Sequence, residues 1–166
     1  MTLRVLQLPD PVLKKPAFSA DPEDPALQTL IDRMFATLDH HPRCVGLAAP
    51  QVGTSLRVIV LDASRVDKPG SRHGRLAMLN PSIVHRSHPR LLREECLSVP
   101  DYTGNVLRED RVEVVGLDRN GGTLRISAHG FEAVVFQHEI DHLDGKLFLD
   151  RVSSLETDVF RRKSYG

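Results

Sequence analysis

The sequence contains no tryptophan, only two cysteines and no long apolar run. No stretch approaches the roughly 18 apolar residues of a membrane-spanning helix, so we expect no membrane partner. Residues 1–11 lack the apolar core of a signal peptide. Cys44 and Cys96 are too few to staple a small secreted domain, and a reducing cytoplasm fits them best, with a ligand or buried-thiol role favoured over pairing. We therefore expect a cytoplasmic protein.

Net charge is lacking as well, because 22 Lys and Arg residues balance 22 Asp and Glu residues. A neutral chain has no overall field to hold a polyanion, so we expect no direct nucleic-acid specificity. The one basic cluster, at residues 161–163, is interpreted as the solvated end of a helix.

What the sequence does contain is typical of a soluble α+β domain. Its 166 residues, 40% of them hydrophobic, can bury a core of their own, so we expect a single domain over residues 1–166. Asp24 and Pro25 are suited to a helix start. The apolar residues that follow have helical spacing and should face the core: Leu27, Leu30, Ile31, Met34, Phe35 and Leu38.

Extended segments dominate the middle of the chain. We predict strands at 56–61, 76–79, 83–85, 111–117 and 123–127, with a hairpin turn at 118–122, where Asn and Gly tolerate positive φ. A second helix is predicted over Phe131–Leu143 and stopped by Gly145. A short C-terminal helix is predicted around 155–160. Together these predict small antiparallel or mixed sheets packed around the second helix.

That second helix carries a pattern typical of metal hydrolases. His138 and His142 are four residues apart and project from one helical face, where both can bind one metal ion. Glu139 can then accept a proton from a water that the metal activates. Asp141 either orients a ligand histidine or caps a surface group, and the sequence favours neither. No further ligand follows His142 at the spacing of a zincin endopeptidase, so the third ligand must lie elsewhere.

Three separated motifs together resemble the peptide deformylases. They are GLAAPQ at 46–51, EECLS at 94–98 and QHEIDH at 137–142. Flanking segments at 10–13, 80–81 and 147–151 are also similar to that family. The resemblance therefore covers nearly the whole chain.

The resemblance implies a complete active site. The metal ligands would be Cys96, His138 and His142, with water in a fourth, open position. Glu139 would be the general base. The amide of Gln51 and the backbone N–H of Leu97 would stabilise the developing oxyanion.

The resemblance also implies a substrate and a cofactor. The reaction would release formate from the N-terminal formylmethionine of nascent polypeptides, with the peptide backbone pairing beside three residues: Gly46, Leu47 and Glu95. One divalent metal is expected, with Fe²⁺ first and Zn²⁺, Ni²⁺ or Co²⁺ as alternatives. We expect a monomer acting near the ribosomal exit tunnel.

Four positions depart from the family pattern: Cys44, Glu95, Thr103 and Val134. Glu95 replaces a glycine and either adds charge at the mouth of the site or points to solvent. Cys44, also at a glycine position, is interpreted as a buried filler before a redox role. Thr103 and Val134 replace arginines, so Glu94 needs another cation, such as Arg93 or Arg108, unless it is exposed.

These departures keep other functions open. One is a related enzyme that acts on a different N-formyl peptide or amide. Another is a metal-containing peptide-binding protein without turnover. A zincin-type endopeptidase is disfavoured because its downstream ligand is missing.

Overall fold

The computed structural model describes residues 1–163. Within this range, six strands form one antiparallel sheet in the order β1-β2-β3-β4-β5, with β6 paired to β4. The strands are β1 (Gly46–Ala48), β2 (Val58–Leu61), β3 (Leu76–Cys96), β4 (Val99–Leu117), β5 (Thr123–His129) and β6 (Val159–Arg161). The α-helices are α1 (Ala26–His40) and α2 (Phe131–Leu143). The α+β prediction and the position of the second helix are confirmed.

The two helices pack on opposite sides of β2. This strand reads Val-Ile-Val-Leu and is buried at every position, as expected for a strand covered on both faces. On one side α1 contributes the predicted apolar stripe, with Ile31, Met34 and Leu38 fully buried. On the other side α2 packs Phe136 and its apolar neighbours against the sheet. His138, Glu139 and His142 therefore lie on a helix in the interior of the protein.

Local signals set the ends of these elements as the sequence predicts. Asp24 Oδ1 accepts a hydrogen bond of 3.0 Å from the Ala26 N–H at the start of α1. In the turn between β4 and β5, Asp118 Oδ1 accepts from the Asn120 and Gly122 N–H groups at 2.8 and 2.9 Å. Gly121 there has φ +88°, which glycine adopts without a steric penalty.

The largest difference from the predicted elements is a long hairpin of β3 and β4. The segments predicted separately at 76–79 and 83–85 belong to one strand, and 86–96 and 99–110 were not predicted as strands. Most of residues 84–91 in β3 are exposed on both faces, so this part of the strand lacks the usual apolar alternation. A register irregularity between Glu94 and Cys96 lies at its tip, and such bulges commonly re-aim side chains next to a site.

The predicted C-terminal helix is wrong. Val159–Arg161 forms β6 instead and pairs with β4, with Phe160 opposite Thr103. A β-branched and an aromatic residue favour a strand, and an existing sheet edge satisfies their backbone groups. The basic cluster is likewise not a helix end. Among residues 1–163, no helix combines the length and apolar character that a membrane crossing needs.

Candidate metal centre and peptide cavity

Cys96, His138 and His142 come together at the meeting point of α2 and the β3–β4 hairpin. The two histidines are one helical turn apart on α2, and Cys96 is the last residue of β3. One potential ligand atom from each lies within 4.8 Å of the other two. Cys96 Sγ is 3.4 Å from His142 Nε2. A thiolate and two imidazoles at this separation fit a tetrahedral divalent cation with one position left open.

The polar atoms around this cluster support the same fit. His138 Nδ1–H donates to the ionised Glu94 carboxylate at Oε1, 2.7 Å away, which leaves Nε2 for a metal. Burial and the nearby His138 lower the pKa of His142 well below its usual value, so its ring is neutral. Glu139 Oε1 is buried with no hydrogen-bond partner in the described chain. A buried carboxylate oxygen without a partner is costly unless a ligand completes the site.

Glu94 is held by a buried ionic network. Arg108 Nε and Nη2 donate to its two carboxylate oxygens at 2.5 and 3.0 Å. Burial opposes its ionisation, but the hydrogen bonds from His138 and Arg108 lower the pKa of Glu94 to about 2. Of the two cations suggested from the sequence, Arg108 is therefore the partner.

Asp141 belongs to the same network. It accepts 2.7 Å from Arg108 Nη1, and 3.1 and 2.8 Å from Arg151 Nε and Nη2. Neither role considered from the sequence is observed, because the carboxylate that orients a site histidine is Glu94. Arg151 lies in the segment 147–151 that resembles the family, but the sequence assigned it no role, since its role depends on a contact between α2 and the segment that follows it.

Glu139 stands next to this cluster and faces β1. Burial raises its pKa to about 7, within the range in which a carboxylate can both accept and release a proton near neutral pH. A Cβ atom on Gly46 would lie 2.7 Å from Glu139 Oε2. A larger residue at this position would force the Glu139 carboxylate to move, whereas glycine leaves room for it.

The side-chain amide of Gln51 has a fixed orientation. Its Oε1 accepts from the Ala48 N–H at 3.0 Å, so the amide nitrogen must point the other way. Nε2 then lies 3.1 Å from Ser98 Oγ and 3.6 Å from Cys96 Sγ. Gln51 thus directs an N–H donor at the cysteine side of the cluster. Ser98 was not singled out from the sequence, although it lies in the second motif.

A cavity of about 510 Å³ opens above these groups. The predicted site residues that line it are Gly46, Gln51, Glu95, Cys96, Leu97, His138 and Glu139. Two predicted site residues do not line it: Leu47, whose side chain is fully buried in the core beside α1, and the buried His142. The apolar lining residues, which we call the apolar wall, include Val45, Leu92, Phe131, Val134 and Val135.

The four departures from the family pattern all lie at or near the cavity. Cys44 lines it, is buried, and donates to the Gly46 carbonyl at 3.1 Å, while burial raises the pKa of its thiol to about 12. Burial and the raised pKa disfavour the reactive thiolate form, which supports the interpretation as a buried filler. Glu95 is exposed at the mouth and pairs with Arg162 at 3.0 Å. Thr103 accepts from Arg93 at 3.4 Å, and Val134 is buried in the apolar wall.

Comparison with known proteins is consistent across sequence and structure. The family model described as polypeptide deformylase matches residues 2–158. A peptide deformylase of Syntrophobacter fumaroxidans is 44% identical over 161 residues, covering 97% of this chain and 92% of that protein. The crystal structure of a peptide deformylase from Legionella pneumophila superposes with TM-score 0.85 and 41% identity, over 94% of this chain and 89% of that chain. A peptide deformylase from Thermotoga maritima gives TM-score 0.83 and 36% identity, over 93% and 99%.

Proposed function

The chain belongs to the polypeptide deformylase family, and we propose how its own residues perform the family's reaction. Members of this family remove the N-formyl group from nascent peptides, and so does this chain. The observation that carries the assignment of roles is the convergence of Cys96, His138 and His142 beside a buried, unpartnered Glu139 oxygen.

Cys96, His138 and His142 hold one divalent metal ion. When bound, such an ion lowers the pKa of water toward neutrality and polarises a carbonyl oxygen. Ferrous iron is the proposed ion, supported by its frequent use in the family. Zinc, nickel and cobalt are also compatible with one thiolate and two imidazoles. Glu94 fixes the ring of His138, and Arg108 holds Glu94 in place.

Glu139 moves the proton. Its carboxylate takes a proton from the attacking water as the water oxygen bonds to the formyl carbon. When the bond between the formyl carbon and the methionine nitrogen breaks, Glu139 returns that proton to the leaving amine. The products are formate and a peptide with a free α-amino group. A pKa of about 7 suits a group that must accept and then donate.

Gln51 and Leu97 stabilise the formyl oxygen as it gains negative charge. The Gln51 amide is already oriented by Ala48, so Nε2 needs no reorganisation to donate. Leu97 lines the cavity next to Cys96 and supplies its backbone N–H.

The peptide binds as an extra strand at the cavity. In the described chain β1 pairs only with β2, and β3 pairs with β2 only over 76–79, so both strands have an edge without a strand partner near the site. Gly46, Leu47 and Glu95 contribute backbone groups along these edges. The apolar wall that includes Val134 and Val135 accommodates the methionine side chain.

The wider setting is proposed from the substrate. Nascent formylated chains leave the ribosome in the cytoplasm, so the protein acts there, near the exit tunnel. Residues 1–166 form one catalytic domain that works as a monomer. No direct nucleic-acid specificity is proposed, since the chain carries no net charge.

The two cysteines provide a matched test of the ligand assignment. Cys96→Ala removes a ligand, so the purified variant should contain far less metal than the wild type. Cys44→Ala removes a thiol from the same cavity without touching the ligand set and should keep full metal content. Metal analysis after anaerobic loading measures both. Full occupancy in Cys96→Ala would contradict the ligand set.

A further inference from the structure

The mouth of the peptide cavity is lined by an uneven set of charges. The lining residues of the metal cluster, Cys96 and His138, are buried or half-buried, whereas the charged residues that also line the cavity are exposed, apart from the half-buried Arg162 and the buried Glu94 and Glu139. We call this opening the rim and define it by Arg43, Lys68, Arg90, Arg93, Glu95 and Arg162. Five of these six side chains are cationic, although the chain as a whole is neutral. The excess of positive charge is therefore a local feature of the rim.

Some rim charges are balanced by neighbours. Glu95, the one acidic member, pairs with Arg162 at 3.0 Å. Arg90 pairs with Asp110 at 3.1 Å. These two pairs contribute little net field at the opening, because exposed opposite charges at contact largely cancel.

Lys68 and Arg93 are held by neutral groups instead. The Lys68 ammonium lies 4.6 Å from the centre of the Phe131 ring. The Arg93 guanidinium stacks 3.8 Å from the centre of the Phe160 ring and donates to Asn105 Oδ1 at 2.9 Å. Among the ion pairs found in residues 1–163, neither has a carboxylate partner. These contacts fix the positions of both cations and leave their charges uncompensated.

We propose that Lys68 and Arg93 make this site select N-formylmethionyl peptides with acidic residues shortly after the methionine. The inference rests on the proposed function. The methionine side chain occupies the apolar wall and the formyl group lies at the metal centre, so the residues that follow must leave through the rim. Carboxylates there meet two cations, whereas lysine side chains are repelled.

The expected size of the effect follows from exposed charge pairs. Each such pair changes binding modestly, so two acidic residues against two cations should raise kcat/KM about three- to tenfold over two lysines. The gain should lie in KM, since the same attraction acts on bound substrate and transition state. The preference for acidic peptides should be strong in about 0.01 M salt, where the Debye length is about 30 Å. It should vanish in about 1 M salt, where the Debye length is about 3 Å.

The test compares formyl-Met-Ala-Asp-Asp, formyl-Met-Ala-Ser-Ser and formyl-Met-Ala-Lys-Lys, each with an amidated C-terminus. The expected order of kcat/KM in low salt is Asp, then Ser, then Lys. The double variant Lys68→Gln with Arg93→Gln should abolish the order. Glu95→Gln should increase the difference in kcat/KM between the acidic and the basic peptide, because the rim loses its one negative charge. Arg86→Gln is the control, since Arg86 is an exposed arginine on β3 that does not line the cavity.

Equal rates for the three peptides in low salt would overturn the proposal while leaving deformylation intact. A change in Arg86→Gln as large as in the double variant would also overturn it, because the preference would then come from overall charge. Binding is measured separately with fluorescein-labelled versions of the peptides on metal-loaded Glu139→Gln, by anisotropy. Tighter binding of the acidic peptide in that experiment supports selection by Lys68 and Arg93 even if turnover fails. Equal binding of the three peptides contradicts that selection.

Discussion

Replacing Arg108 by Met should destabilise the protein more than any change at a neighbouring arginine. The Arg108 side chain is only 4% exposed and makes two hydrogen bonds to Glu94 and one to Asp141. Methionine fills a similar volume without charge, so the change isolates the ionic contacts. Asp141 would keep Arg151 as a partner, whereas Glu94 would keep only His138. Most of the expected loss in the free energy of unfolding therefore comes from Glu94, a buried carboxylate that loses its cation.

Leaving such a charge unpaired costs about 3–5 kcal/mol. For a domain of this size, that corresponds to a fall in Tm of about 6–20 °C. The loosened Glu94 would also orient His138 less well, which should weaken metal binding about 10–100-fold. Arg151→Met is the matched control. Its side chain is 39% exposed, so losing its pair should cost less than about 1 kcal/mol.

Urea unfolding of the zinc-loaded proteins, read by circular dichroism, measures the stability, and competition with a chelator measures the metal affinity. The double variant Arg108→Met with Glu94→Gln should recover part of the loss, because no buried charge is then left alone. A loss below about 1 kcal/mol in Arg108→Met, or no recovery in the double variant, would show that Arg108 does not stabilise the fold by pairing with buried Glu94.

Two further variants probe the groups around the scissile bond. Gly46→Ala should lower kcat about 10²-fold with metal content unchanged, because its Cβ would displace the Glu139 carboxylate; steady-state formate release checks this, and a kcat within twofold of wild type contradicts it. Gln51→Leu should lower kcat by about 10²–10³-fold through loss of an oxyanion donor; an unchanged kcat in a folded, metal-loaded variant would remove Gln51 from the mechanism.

The helices and the α2 part of the site could be predicted from the sequence because their signals are local. The apolar stripe of α1 and the four-residue spacing of His138 and His142 depend only on helical periodicity. Cys96 lies far away in the chain and has no such signal, so it was assigned only through the family resemblance. The family resemblance indicated that a buried Glu94 would need a cation such as Arg93 or Arg108, but only the structure shows that Glu94 is buried and that Arg108 is its partner.

The elements that were missed depend on distant partners. The outer halves of β3 and β4 carry exposed charged residues such as Arg90 and Arg93, so they lack an apolar alternation. The strand β6 exists because β4 offers an edge at Tyr102–Gly104. The rim could not be predicted either, because Lys68 and Arg93 approach the same opening from separate parts of the chain.

The proposal that this chain is a metal-dependent deformylase, with Glu139 as its proton acceptor, is tested most simply by formate release from formyl-Met-Ala-Ser. The wild type and Glu139→Gln are each loaded anaerobically with ferrous iron, nickel or zinc and compared. We expect rapid release of formate by the wild type with at least one metal. For Glu139→Gln we expect full metal content and a rate lower by about 10²–10⁴-fold, the usual contribution of a positioned proton acceptor. Metal-loaded wild type that releases no formate, or a Glu139→Gln variant as fast as wild type, would contradict the proposal.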